Sequence, residues 1–289
     1  MPTPEIRKYF DLVNTWAAEA RMIPSVSEIY LFGSLINEDG IDFNSINSDF
    51  DFVLVMKENT TLTERLTLIH ALEPKVDELE GRIIKGLKRE AGQAHTSFVC
   101  LTPFEAEMSV HKSRNANLLS MPQFLRLGAD AQYGPGTIRL SEGVEGDFAT
   151  RNSDPLEVLY YSQNVRNKFL NNSYNTADIK LRDYAGEDPL PKDLMRTAAH
   201  LGWSTLNRGE ASRIDLKTGS TYISRILEND DTEHAKTLAK KIESRSLGRG
   251  ASQGISRDEI LYLSELLFDH AIKKVSSRKV ALDKVIEGI

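Results

Sequence analysis

Two short apolar runs, each joined to a small polar motif, constrain the fold of this chain more than any other feature. Residues 29–32 form the first run and end at Gly33-Ser34, and Asp49-Phe50-Asp51 leads into the second run, residues 52–55. Apolar runs of this length, bounded by turn residues, are typical of buried β-strands. The sequence therefore predicts two buried strands, with a turn at the end of one and two acidic residues at the start of the other.

The polar motifs indicate phosphate and metal chemistry. Gly33 would let the backbone approach a ligand closely, and the Ser34 hydroxyl can donate to a phosphate oxygen. Asp49 and Asp51 are two residues apart, so on a strand they share one face while Phe50 points to the other. Carboxylates that close repel each other unless a cation lies between them, and Mg²⁺ prefers oxygen ligands and substrate phosphates. The pattern predicts a magnesium–phosphate site, with Mn²⁺ as the alternative ion.

The order strand, Gly33-Ser34, gap, Asp49-x-Asp51, strand resembles the signature of the nucleotidyltransferase superfamily of DNA polymerase beta. The resemblance covers residues 25–135 and includes Thr102-Pro103-Phe104-Glu105 after a later strand. It also includes residues 127–134, which look like the passage that ends the catalytic domain in many small members. The resemblance is to minimal or bacterial defence-type members with a helical C-terminal domain. It implies that Asp49 and Asp51 hold the metal and act in catalysis.

The same resemblance implies a nucleotide-binding role for Gly33, Ser34 and Ser48. The family usually carries a third carboxylate on a later strand, here residues 95–101, and the expected position falls on Ser97. A hydroxyl is a poorer general base and a weaker metal ligand than a carboxylate. Three explanations stay open. The strand register is wrong, another acid such as Glu105 or Glu107 substitutes, or the site runs on two aspartates.

Basic residues of the helical half are the candidates for binding the triphosphate. Related two-domain transferases bring such residues over the nucleotide, and Arg166, Lys168 and Arg196 are the positions that the resemblance suggests. Arg196 and His200, one helical turn apart, also invite comparison with the Arg…His signature of HEPN ribonucleases. His95 is the only histidine that we expect near the site.

Composition favours a protein of the reducing cytoplasm that does not enter a membrane. No apolar run approaches the ~20 residues needed to span a bilayer, and a single cysteine, Cys100, excludes an internal disulfide. Residues 1–150 hold 14 Lys and Arg against 22 Asp and Glu, and residues 151–289 hold 22 against 20. An acidic first half argues against tight binding of duplex DNA, which needs many Lys and Arg contacts to phosphates.

Periodicity divides the chain into two parts. Helical and strand patterns alternate in residues 1–136, which predicts an α/β (α+β) nucleotidyltransferase domain with a small mixed sheet. Within it, Pro74 should kink or split the helix of residues 62–84, and Pro122 should open a helix that precedes a strand at residues 131–133. Residues 150–289 show mainly helical patterns and predict an all-helical bundle, with residues 248–254 as a flexible loop.

The leading functional hypothesis is the transfer of a nucleoside monophosphate from an NTP or dNTP to a hydroxyl. A nucleotide or nucleic-acid 3′-hydroxyl ranks first as acceptor, a protein hydroxyl second and an aminoglycoside third. The setting would be bacterial anti-phage defence or a toxin–antitoxin system, with an effector or toxin as protein partner. The alternatives are a protein-AMPylating antitoxin, or a catalytically weak antitoxin or immunity protein that only binds its partner, which Ser97 in place of an acid would favour.

Overall fold

A computed structural model gives the fold of most of the chain. The residues that it describes are 2–90, 94–115, 117–128, 131, 133, 136–143, 153–170, 189–203, 205–206, 214–229, 232–247 and 255–287.

The first part of the chain alternates helices and strands, as predicted. In chain order its elements are α1 (Pro4–Ala20), β1 (Val26–Phe32), a short 3₁₀ turn (Asn37–Gly40), β2 (Phe50–Met56), α2 (Leu62–Leu87), β3 (Thr96–Leu101), α3 (Pro103–Glu107) and β4 (Leu125–Leu127). The later described elements are all helices: α4 (Ser153–Leu170), α5 (Pro189–Trp203), α6 (Leu216–Glu228), α7 (Glu233–Leu247) and α8 (Arg257–Glu287). The prediction of a mixed α/β fold with a helical part is confirmed.

Side-chain caps fix where the helices of the first part begin. The Thr61 hydroxyl accepts from the Glu64 amide while the Glu64 carboxylate accepts from the Thr61 amide, a capping box that opens α2. Thr102 and Glu105 form the same box at α3, with Pro103 as its first residue. These caps satisfy amides that have no partner within the helix. The chain therefore turns from strand to helix directly after β3.

The strands form one sheet in the order β3-β2-β1-β4. β1 pairs antiparallel with β2 and with β4, and β2 pairs parallel with β3. The register aligns Asp51 with Phe32 on one side and with Ser97 on the other. Gly33, Asp51 and Ser97 therefore come from three consecutive strands and meet at one end of the sheet.

The two faces of the sheet are buried differently. On one face Phe52 and Phe98 stack with ring centroids 4.8 Å apart, and Trp16 of α1 packs on both of them at 5.3 and 5.4 Å. On the other face Tyr30, Val53, Val99, Leu101 and Phe124 belong to a second apolar cluster, with Ala106 and Leu119. Since side chains alternate along a strand, Asp51 and Ser97 lie on the same face as this second cluster. They occupy its open end, where each is only half-buried.

β3 is an edge strand, and residues of α4 pair with its free edge. Asn167 Oδ1 accepts from the Phe98 amide at 3.0 Å, and Arg166 donates to the Cys100 carbonyl at 2.9 Å. Pairing an exposed edge in this way prevents it from recruiting another strand. Arg166 and Asn167 thus contribute to the sheet domain although the sequence places them in the helical half.

The chain divides into two compact units. The first comprises residues 1–144 and 166–180, and the second comprises residues 145–165 and 181–289. In the second unit, Ser256 and Glu259 form the predicted capping box at the start of α8. The predicted division into residues 1–136 and 150–289 stays a prediction. Among the described residues no helix combines the length and apolar character needed to cross a membrane.

Two details of the predicted secondary structure are wrong. α2 continues through Pro74 as one helix of 26 residues, so the predicted split does not occur, and the alternative of a kink stays a prediction. Residues 125–127 form β4 and not part of a helix opened by Pro122, and the described residues 131 and 133 are not in a strand. In β4 the side chains of Leu125 and Leu127 are buried and that of Arg126 is exposed, the period-two pattern of a strand beside β1. The predicted flexible loop, residues 248–254, lies outside the described residues.

Candidate active site

The backbone at Gly33 is shaped around the carboxylate of Asp51. Gly33 has φ +84°, a conformation that side chains other than glycine rarely adopt, and a Cβ there would lie 2.8 Å from Asp51 Oδ2. The Gly33 carbonyl accepts from the amides of Ile36 and Asn37, both at 3.1 Å, so the turn that carries Ser34 is closed. Glycine is required here for two reasons, the φ angle and the close approach of Asp51.

The site electrostatics agree with a place for a cation. Burial, and after it the neighbouring charge of Asp49, raises the pKa of Asp51 from 3.8 to about 6. Burial also raises the pKa of Asp49, which is the more exposed of the two, while Arg89 and His95 act in the opposite direction. A carboxylate pair whose ionisation is disfavoured by burial would be stabilised by a divalent ion that neutralises it. Metal binding by Asp49 and Asp51 stays a prediction.

Arg89 holds the loop that leads to Asp49. Its guanidinium donates to the carbonyls of Ser45 and Ser48, both at 2.7 Å, and lies 5.6 Å from the centroid of the Phe50 ring. The Ser48 hydroxyl accepts from the Asn44 amide at 2.9 Å and closes the same loop. Ser48, predicted to bind nucleotide, is thus placed directly before Asp49, where its side chain contributes to the loop. Its contact with nucleotide stays a prediction.

His95 contacts Arg89, which holds this loop, and Glu80 in turn binds the backbone of His95. Arg89 Nη1 lies 3.2 Å from His95 Nδ1, and because a guanidinium can only donate, Nδ1 accepts. The ring proton is therefore on Nε2, which donates to the Glu90 carbonyl at 3.0 Å. Glu80 accepts from the amides of His95 and Thr96 at 2.8 to 3.0 Å, and burial raises its pKa. His95 lies near the site as expected, but its two ring nitrogens are engaged with Arg89 and with the Glu90 carbonyl.

Lys112 contacts Ser97, the position at which the family pattern would place a third acid. Ser97 is in register with Asp51, so the explanation that its strand register is wrong does not hold. The ammonium group of Lys112 donates to Ser97 Oγ at 3.1 Å. Burial lowers the pKa of Lys112, and the charge of Asp51 acts against that effect. The position therefore carries a hydroxyl and a positive charge in place of a negative one.

The residues present fit one divalent ion held by Asp49 and Asp51. Both offer oxygen ligands, and Mg²⁺ typically takes one or two carboxylates together with substrate phosphates and water. Across the described ranges there is no cluster of three or more His, Cys, Asp or Glu side chains suited to a metal. Further ligands would accordingly have to come from the nucleotide and solvent.

Glu105 does not substitute for the missing acid, and this alternative is wrong. Its side chain is fully buried, caps α3 and forms an ion pair with Arg166 at 2.9 Å. α3 begins after Leu101, four residues along β3 from Ser97, which is about 13 Å of strand. Glu107 lies further along α3 and is exposed.

Arg166 is part of the core and is not placed to bind a triphosphate. Its side chain is fully buried, and Nη1 donates to Glu105 and to the Cys100 carbonyl at 2.9 Å. The predicted role as a triphosphate clamp is therefore corrected. A buried arginine needs such partners because an unpaired charge in the interior is costly.

The other basic candidates keep surface positions. Lys168 is half-buried on α4, directly after Asn167. Arg196 belongs to the second unit, where it is exposed and pairs with Asp193 at 3.5 Å. In that unit His200 Nδ1 lies 2.9 Å from Asp154 Oδ1. Binding of phosphates by Lys168 and Arg196 stays a prediction.

Two site residues, Arg89 and Lys112, were missed by sequence reasoning. Arg89 follows the end of α2, and Lys112 lies in an irregular loop after α3. No periodicity or spacing relates either residue to the two aspartates, because their proximity arises only when the loops fold back onto the sheet. The basic run His111-Lys112-x-Arg114 was the one signal available.

Comparison with known proteins relates most of the chain to a nucleotidyltransferase family. Residues 12–273 match the family model NTase-conflict, described as Pol beta superfamily nucleotidyltransferase in conflict systems. The crystal structure of spectinomycin adenyltransferase AAD(9) from Enterococcus faecialis with ATP and spectinomycin matches 92% of this chain and 98% of its own, at 12% identity. Its TM-score is 0.27, which does not establish a shared fold. No curated protein matches the chain.

Proposed function

Because the chain belongs to the Pol beta superfamily nucleotidyltransferases of conflict systems, we propose that it moves an NMP or dNMP from a nucleoside triphosphate to a hydroxyl in a Mg²⁺-dependent reaction. Mn²⁺ is the alternative ion. The observation that carries this proposal is the close packing of Asp51 against the positive-φ turn at Gly33, with a pKa raised by burial and by Asp49. Such a carboxylate is suited to bind a cation beside a phosphate-binding turn.

The reaction forms one P–O bond and breaks another. The acceptor hydroxyl oxygen attacks the α-phosphorus, and its proton passes to solvent. The bond from the α-phosphorus to the oxygen that bridges the α- and β-phosphorus breaks, and pyrophosphate leaves. Asp49 and Asp51 would hold Mg²⁺, which when bound neutralises the triphosphate and stabilises the attacking and leaving oxygens. The turn at Gly33-Ser34 would bind the β- and γ-phosphates through the backbone and the Ser34 hydroxyl. Arg89 keeps Asp49 in place by fixing the carbonyls before it.

Among acceptors, a nucleotide or nucleic-acid 3′-hydroxyl stays the first choice. A protein hydroxyl is second, as in an AMPylating antitoxin, and an aminoglycoside is third. The family description supports a role in a conflict system, so we place the protein in anti-phage defence or a toxin–antitoxin pair, with an effector or toxin as partner and the cytoplasm as its location. The acidic first half, with 14 basic against 22 acidic residues, favours small or single-stranded acceptors over duplex DNA.

The decisive experiment is transfer of label from a nucleotide. The full chain would be incubated with α-³²P-labelled ATP, dATP, GTP or CTP and Mg²⁺, and the products separated by gel and thin-layer chromatography. We expect pyrophosphate release with a labelled product that identifies the acceptor. Asp49→Asn and Asp51→Asn should abolish both signals, whereas Asp42→Asn, an exposed change in the preceding loop, should not. Full turnover in either site variant would refute the assignment.

A further inference from the structure

Lys112 reaches Ser97, the position at which a third metal-binding acid is expected. Its Nζ is 3.1 Å from Ser97 Oγ, and Ser97 is aligned with Asp51 across the parallel pair of β2 and β3. Neighbouring strands are about 4.8 Å apart. The ammonium group of Lys112 is therefore separated from the strand position of Asp51 by about one strand spacing plus the hydrogen bond to Ser97. A cation is therefore built into the site.

The loop that carries Lys112 is fixed by its own hydrogen bonds. His111, which is buried, lies with Nδ1 2.7 Å from the Ser113 hydroxyl and accepts from the Ser113 amide at 3.2 Å. The Arg114 amide donates to the His111 carbonyl at 2.8 Å. Lys112 is thus held between two anchored neighbours. A charge fixed in this way costs little reorganisation when substrate charge develops beside it.

The environment of Lys112 is also costly for a charged side chain that has no function. Lys112 is half-buried, and its ammonium group therefore gives up part of its hydration. A lysine without a role at this place would reach solvent by rotating its long side chain. The hydrogen bond to Ser97 instead directs it into the site.

The charges of the site balance without a second metal. In a two-metal phosphoryl-transfer site, three carboxylates together with two divalent ions leave one net positive charge to bind the triphosphate. Two aspartates, one divalent ion and one ammonium group leave the same net charge. A second divalent ion at Ser97 would lack a carboxylate ligand and would be repelled by Lys112, and the described residues supply no three-acid cluster there. The ammonium group of Lys112 would thus supply the positive charge that a second metal ion supplies in a two-metal site.

Resting on the proposed nucleotidyl transfer, we propose that Lys112 takes the place of the second divalent ion, so that the site binds one metal per nucleotide. The ammonium group would contact an oxygen of the α-phosphate, where lysine acts as a point charge. Ser97 is then a positioning residue, since its hydroxyl accepts from Lys112 and orients it.

The test counts metal ions directly. Mn²⁺ would be titrated into the full chain saturated with the non-hydrolysable analogue α,β-methylene-ATP, and bound Mn²⁺ counted by electron paramagnetic resonance. We expect one ion in the wild type and two in the double variant Ser97→Asp/Lys112→Ala, which restores a carboxylate and removes the cation. Lys112→Met should still bind one ion but lower pyrophosphate release by ~10²–10³-fold, as loss of a catalytic donor does. Lys57→Met, an exposed lysine after β2, is the matched control and should change neither quantity.

The outcomes separate the two proposals. Two ions in the wild type would overturn the inference about Lys112 and leave the proposed function standing. No ion in the presence of the nucleotide analogue would refute the metal-dependent function itself. An unchanged rate in Lys112→Met would also overturn the inference, as would a single ion in the double variant once a thermal melt shows that it is folded.

Discussion

The carboxylate of Asp51 should destabilise the metal-free protein at neutral pH. Its pKa rises from 3.8 to about 6 on folding, because of burial first and of Asp49 second. The folded state therefore binds a proton more tightly than the unfolded chain, and stability falls as pH rises through this range. At about 1.4 kcal/mol for each pKa unit, the cost above pH 6 is about 3 kcal/mol. Asp51→Asn removes the charge with almost the same shape, so we expect a gain of about that size at pH 8.

The assay uses a tryptophan that packs on the opposite face of the same sheet. Trp16 is fully buried, with its ring 5.3 Å from that of Phe52, so its fluorescence reports on the sheet. The other tryptophan, Trp203, is 46% exposed and can be replaced by Phe in both proteins. Urea unfolding in chelator at pH 8 should show Asp51→Asn more stable by about 3 kcal/mol, and at pH 4 by less than about 1 kcal/mol.

Two controls decide the interpretation. Asp42→Asn removes an exposed carboxylate from the preceding loop and should show no such pH dependence. Addition of Mg²⁺ with α,β-methylene-ATP should stabilise the wild type more than Asp51→Asn, because only the wild type keeps both carboxylates. Equal stability of the two proteins at pH 8, or the same difference at both pH values, would refute the argument from burial and repulsion.

Three further substitutions test the surroundings of the site. Gly33→Ala should destabilise the protein by about 1–2 kcal/mol and abolish transfer, since the new methyl group would meet a carboxylate oxygen at 2.8 Å. The control Gly81→Ala, which has open space around it, should raise the free energy of unfolding by up to about 1 kcal/mol. The reverse order of the two variants in thermal melts would contradict the turn geometry. In Arg89→Lys, the single ammonium group cannot reach both carbonyls of the loop. The nucleotide Kd should rise about tenfold or more, which corresponds to the loss of one charged hydrogen bond. An unchanged Kd in a calorimetric titration would mean that the loop keeps its conformation without Arg89. Glu105→Gln leaves Arg166 buried without its charge partner and should cost about 3–5 kcal/mol in urea unfolding, while nucleotide affinity of the folded fraction stays unchanged; selective loss of affinity would restore the clamp hypothesis for Arg166.

The sequence by itself determined the elements whose signals are local. Apolar runs beside Gly33-Ser34 and Asp49-x-Asp51 indicated two buried strands, because each signal lies within a few residues. Residues 125–127 were misassigned because three residues are too few for periodicity to separate strand from helix. Only pairing with β1 made them a strand.

The tertiary structure decided which charges meet. Arg166, a basic residue in a helical run, looked like a phosphate ligand, and only packing showed that it is buried with Glu105. No spacing related Lys112 to the aspartates, and only the return of its loop to β3 brought it to Ser97. Local propensity acts between neighbours in the chain, whereas the energy of a charge depends on burial and on partners from distant elements. For that reason the strands and the aspartate pair could be predicted from the sequence, whereas the position of the Lys112 ammonium group could not.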